Sequence, residues 1–141
     1  MARGVTLLEM LVVIVIIGIT ASIVVPPLRR ALDRAAVDDA SDRYVAVHES
    51  ARQLAVARGR LVRVELDTAR RTATIEAAAS GAWDTIAVHA LGTASLTASR
   101  VIVTFSPLGV GFGASNTRLV LVRGEAAETL TVSRTGRLRR S

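Results

Sequence analysis

Two groups of charged side chains hold the chemistry this chain can offer. The first is a single carboxylate, Glu9, near the start of an apolar stretch from Val5 to Leu28. From Met10 to Leu28 no residue carries a formal charge, and Leu, Ile and Val dominate. A run of that kind meets the requirement of ~20 apolar residues for a helix crossing a bilayer. An ionised acid at the membrane centre costs about 2.5–3.5 kcal/mol, so it calls for a partner or a task. The second group is the tail, where Arg134, Arg137, Arg139 and Arg140 bring four guanidinium groups close together. In extended conformation Arg137 and Arg139 point the same way and could grip successive phosphates, whose geometry guanidinium forks match. Alternatively, Gly136 makes a turn and the arginines form a solvated end or pair with acidic residues of a neighbouring chain.

Other chemistry is excluded or unsupported by the residue types. There is no cysteine, which rules out disulfides and thiol chemistry. His48 and His89 lie far apart and give no metal-ligand spacing, so both are read as surface or half-buried residues. The chain lacks lysine, and with it any Ser-x-x-Lys nucleophile or Lys-ended phosphate loop. The glycines from Gly109 to Gly113 sit between β-like segments with no helix behind them, unlike a dinucleotide fingerprint, and are read as a flexible or bulged loop. No catalytic residue, metal or cofactor is expected, and the chain is not expected to be an enzyme.

The elements that must position these groups follow from periodicity. At 141 residues there is room for one domain beyond the anchor. Tyr44, Trp83, Phe105 and Phe112 are the only aromatic residues, so the core must be built from Val, Leu, Ile and Ala. The helix is expected to run past Pro26-Pro27. Beyond them Leu28, Leu32, Ala36, Ala40, Tyr44, Val47, Ala51, Leu54 and Ala55 recur mostly at three and four, and Gly59 closes the helix after Arg58. After Gly59 the period becomes two. In Leu61–Asp67, Val62, Val64 and Leu66 share one face. Further strands are expected at 72–78, 85–89, 100–105, 118–123 and 129–134, with Gly124–Glu128 joining the last two as a hairpin. Loops are expected at 80–83 and 90–99. The predicted organisation is residues 1–4 as a leader, 5–28 as the membrane segment, 29–58 as an amphipathic helix and 59–141 as a β-rich domain. The predicted fold class is α+β, a long N-terminal helix packed on an antiparallel sheet or small two-sheet sandwich.

The segment Gly4-Val5-Thr6-Leu7-Leu8-Glu9-Met10 resembles the processing site of type IV prepilins and type II secretion pseudopilins. The resemblance implies cleavage between Gly4 and Val5 by prepilin peptidase and methylation of the new N-terminus at Val5. It also implies that Glu9 neutralises the N-terminal amine of a neighbouring subunit during assembly. Val5 stands where Phe is usual. The alternative is a secretory signal peptide cut near Thr20-Ala21-Ser22. Three internal segments resemble the GspH/FimT group of minor pseudopilins: Ala51-Arg52-Gln53-Leu54-Ala55, Phe105-Ser106-Pro107-Leu108-Gly109 and Thr135-Gly136-Arg137-Leu138-Arg139. The implied fold is pilin-like. The implied role is a structural subunit of a type II secretion pseudopilus, with other pseudopilin or pilin subunits and the inner-membrane assembly platform as partners. The implied location is the inner membrane, N-terminus cytoplasmic and β-rich domain periplasmic. Some FimT-like pilins bind DNA during uptake through a Gly-Arg-x-Arg tail, which makes DNA a further candidate partner of Arg134, Arg137, Arg139 and Arg140. No aromatic residue interleaves with these arginines, so such binding would be sequence-independent and salt-sensitive. The net charge of +6, carried entirely by arginine on the basic side, suits an anionic partner but equally a genome rich in Arg codons.

Overall fold

The computed structural model describes residues 6–141; Gly4 and Val5 lie outside the described residues. The chain divides into two units, one ending at Leu32 and one spanning Asp33–Ser141. The first belongs to a single helix, α1, Leu7–Arg58, which passes through Pro26 and Pro27. No side chain of the first unit from Thr6 onward is buried. Its most apolar 18-residue stretch has a mean hydropathy of 2.7, long and apolar enough to cross a membrane. The polar side chains in it turn back on the helix. Thr20 donates to the carbonyls of Ile16 and Ile17, and Ser22 to that of Ile19. In an apolar medium a hydroxyl without a partner is costly, and these have one.

In the second unit α1 buries Val37, Ala40, Ser41, Tyr44, Val47, His48, Ala51 and Ala55. The expected stripe therefore begins later than its periodicity suggests, since Leu28 and Leu32 are both more than half exposed. The small residues Ala40, Ala51 and Ala55 leave room for the sheets to come close. The helix ends in a Schellman motif. Gly59 takes φ +59°, its N–H reaches Val56 O, and the Arg60 N–H reaches Ala55 O.

Eight strands follow: β1 Val62–Asp67, β2 Thr72–Ala78, β3 Trp83–Ala90, β4 Ser95–Ala98, β5 Ile102–Phe105, β6 Thr117–Arg123, β7 Ala126–Val132 and β8 Leu138–Arg140. They form two antiparallel four-stranded sheets, ordered β3-β2-β1-β5 and β4-β6-β7-β8. The buried faces of both sheets and of α1 merge in one core containing Val62, Val64, Ile75, Val103, Phe105, Leu119, Leu121 and Leu130. Two strands were not expected. β4 lies inside the segment 90–99 read as a loop, and β8 turns the arginine tail into a sheet edge. The hairpin between β6 and β7 is tighter than expected. Its loop is Gly124-Glu125, with Gly124 at φ +56°, the first central position of a two-residue turn. A Cβ at Gly124 would overlap the Asp33 carboxylate, which also pairs with Arg123 at 3.2 Å.

Candidate functional site

Thr6 and Glu9 begin the helix as a unit. The Glu9 N–H donates to Thr6 Oγ1 at 3.2 Å, which makes Thr6 the N-cap and Glu9 the third helical residue. Thr-x-x-Glu is the spacing of a capping box, and a carboxylate in the first turn also suits the helix dipole. Glu9 thus has a local structural role beside any role in assembly. All side chains of the apolar segment behind it face outward from the chain.

Two of the three internal segments singled out in the sequence meet at one residue of α1, His48, through Phe105 and Gly136. Ser106-Pro107-Leu108-Gly109 forms a three-residue hairpin loop. Gly109 N–H binds Ser106 O, Ser106 N–H binds Val110 O, and Gly109 takes φ +73°. Ser133-Arg134-Thr135-Gly136 repeats that loop. Gly136 N–H binds Ser133 O, Ser133 N–H binds Arg137 O, and Gly136 takes φ +80°. Each is a turn followed by a left-handed residue, which explains the glycine in both motifs without recourse to a ligand. The first loop lies under α1, where a Cβ on Gly109 would meet Val56 at 2.9 Å and Arg52 at 3.5 Å. The second packs against Phe105, which a Cβ on Gly136 would reach at 3.0 Å. Gly111 lies between the loops, and a Cβ there would overlap the Arg134 carbonyl oxygen.

His48 joins them. Its Nε2 donates to Gly136 O at 2.9 Å, and the Phe105 ring meets its ring edge-on at 4.9 Å between centroids. A carbonyl only accepts, so Nε2 carries the proton and Nδ1 is bare; Nδ1 has no partner among the described residues. Burial lowers the His48 pKa from its ordinary value, partly opposed by the Gly136 hydrogen bond, and the ring is held neutral. His48 is therefore a core residue, whereas His89 lies exposed on β3. Among the described residues no group of three candidate metal ligands occurs.

The tail arginines are not placed as one group. β8 pairs with β7 in the register Leu130↔Arg140, Thr131↔Arg139 and Val132↔Leu138. Leu138 packs toward the core, and Arg140 on the same side pairs with Asp42 of α1. That hydrogen bond raises the Arg140 pKa above its already high value. Arg137 and Arg139 alternate to the opposite side and are exposed. Arg134 occupies the exposed turn. Sequence reasoning missed Arg118, which faces Thr131 from the other side and so shares a row with Arg139 on the outer face of the second sheet. The signal was available in the strand alternation of 117–123, where Leu119 and Leu121 point in and Arg118 out.

Residues 1–25 match the prokaryotic N-terminal methylation motif. The fold matches that of the type IV minor pilin FimU of Pseudomonas aeruginosa in two crystal forms. In one the TM-score is 0.59 at 17% identity, covering 76% of this chain and 90% of FimU. In the other it is 0.58 at 21%, covering 81% and 91%. The minor pseudopilin EpsH from the Type 2 Secretion System of Vibrio cholerae matches with a TM-score of 0.60 at 15% identity, covering 75% of this chain and 95% of EpsH. No curated protein matches in sequence. The fold is pilin-like: a long N-terminal helix packed on antiparallel sheets. The motif bears out the expected prepilin-like N-terminus, and the fold bears out the expected pilin-like architecture.

Proposed function

We propose that this chain is a minor pilin-like structural subunit of a type II secretion pseudopilus and not an enzyme. The observation that carries the reading is the helix start: a capped first turn bearing Glu9, followed by an apolar helix that the chain itself leaves wholly uncovered. That surface must be covered by lipid before assembly and by other subunits after it. Prepilin peptidase would cut between Gly4 and Val5 and methylate Val5. The helix would span the inner membrane with the β-rich domain in the periplasm, and the assembly platform would draw it into the filament. Preference for the secretion system rests on the tail, which is built into a hairpin with Arg140 held by Asp42. Mass spectrometry of the membrane-extracted protein should find an N-terminus at Val5, with one added methyl. An N-terminus near Ser22 would instead make the segment a secretory signal peptide and end this reading.

A DNA-binding minor pilin of a type IV pilus is the second reading, favoured by the row Arg118–Thr131–Arg139. Strands ~4.8 Å apart place the two arginine backbones roughly 10 Å from each other. The side chains between them on that face are Thr, Val, Ser and Ala, with no carboxylate. On this reading Arg137 and Arg139 act with Arg118, while Arg140 does not contribute. The Arg118→Gln/Arg139→Gln double variant should weaken binding to duplexes of unrelated sequence and flatten its salt dependence by about two contacts' worth. Equal binding by the double variant, or none by the wild-type protein at low salt, would leave the secretion subunit as the sole reading.

A further inference from the structure

We infer that the open edge of β5 is a docking slot for a short extended peptide that carries an acidic side chain. The register fixes which backbone groups are free. Leu66 N–H binds Val101 O, and the β1–β5 ladder continues with Val64↔Val103 and Val62↔Phe105. Residues 101, 103 and 105 thus bond to β1, and by alternation Ile102 and Thr104 point their backbone groups to the other side. There the Thr104 carbonyl is taken by the Phe112 N–H and the Ser115 hydroxyl, and Arg100 is bonded through both backbone groups to Thr117. Phe105 beyond is bridged to Gly111, so the opening lies between Arg100 and Phe105, where the Ile102 N–H and C=O and the Thr104 N–H face the cleft with no backbone partner among the described residues.

That cleft is about 400 Å³, lined by Arg100, Ile102, Thr104, Phe112 and Ser115 among others, with no carboxylate in its wall. Ile102 is 38% exposed and Phe112 55% exposed, an apolar bed beside the unpaired backbone. Arg100 is exposed at its rim and forms no ion pair among the described residues. The nearest cross-strand acid, Glu65 opposite Ile102, leans to Arg63 at 3.5 Å. Unpaired strand groups recognise an extended backbone, the apolar bed takes an aliphatic side chain, and the free guanidinium selects a carboxylate. One occupant satisfies all three: a β-strand segment of a partner protein with acidic and aliphatic residues alternating.

The test uses the full chain in detergent and a fluorescent capped peptide of alternating Val and Glu. The Val-Glu peptide should bind, a Val-Lys peptide should bind at least about tenfold more weakly, and methylation of alternate peptide nitrogens should abolish binding. Arg100→Gln should weaken binding about tenfold, the scale of one charge-assisted hydrogen bond. Ile102→Pro removes only an N–H that points away from β1, so the fold should survive, as circular dichroism would check, while peptide binding is lost. Absence of binding by the wild-type chain overturns the proposal. So does binding unchanged in both variants, or binding lost in Arg137→Gln/Arg139→Gln and kept in Arg100→Gln.

Discussion

Truncation of Phe105 to alanine is expected to cost about 3–5 kcal/mol of stability, the range for removing a buried aromatic ring. Phe105 is fully buried, and its ring is the surface on which His48 and the Gly136 loop both rest. Nothing nearby can collapse into the space, because the two glycine loops are fixed by their own hydrogen bonds and by the close approach at Gly111. Native domains are stable by about 5–15 kcal/mol, so the loss removes a large share of the second unit's stability. Phe105→Leu, which keeps most of the volume, should cost well under half as much. Urea unfolding of both variants checks the prediction, and a loss below about 1 kcal/mol for Phe105→Ala would show that the ring is not the support described.

Much of this arrangement could be read from the chain, and the exceptions have physical causes. The end of α1 was legible because Gly59 supplies the left-handed residue that a Schellman cap needs. β1 was legible because Val62, Val64 and Leu66 alternate with Arg63, Glu65 and Asp67 over six residues. β4 was not, because only Leu96 and Ala98 point inward, too few to display a period among Ser and Thr. β8 has a single apolar residue, Leu138, and its strand character comes wholly from pairing with β7. His48 was hidden for a related reason: local sequence cannot show that a strand end at Phe105 and a loop at Gly136 will close over it.

The charged groups show the same division. Read in sequence, Arg134, Arg137, Arg139 and Arg140 are one cluster. Strand alternation then assigns Arg140 to Asp42 on one side, and Arg137 and Arg139 to the other. Arg118, distant in sequence, becomes a closer companion to Arg139 than Arg140 is. The repeated Ser-x-x-Gly loops at 106–109 and 133–136 were seen as separate motifs, and the structure gives both the same cause. Leu28 and Leu32 continued the apolar period but belong to the unit whose surface the chain does not cover. Periodicity identifies an apolar face without saying whether protein or lipid will meet it.

Glu9 poses the sharpest alternative, because its spacing from Thr6 suits both a helix cap and a charge partner for another subunit. The two roles separate in Glu9→Gln, since Gln serves at the third position of a capping box as well as Glu while carrying no charge. If the carboxylate neutralises a neighbouring amine, Glu9→Gln should enter the membrane and be processed like wild type. Removing a charge from an apolar span does not hinder its insertion. Its incorporation into filaments should nevertheless fall about ten- to a hundredfold, the equivalent of about 1.5–3 kcal/mol for a hydrogen bond to a charged group. Glu9→Ala, which loses both roles, should fall at least as far. The ratio of filament-bound to total mature subunit, measured by immunoblot of sheared filaments, gives the comparison. Normal incorporation of Glu9→Gln beside poor incorporation of Glu9→Ala would assign the residue to the cap. The assembly role would then pass to the apolar surface from Leu7 onward, whose burial among neighbouring helices would have to hold the subunit without a charge pair.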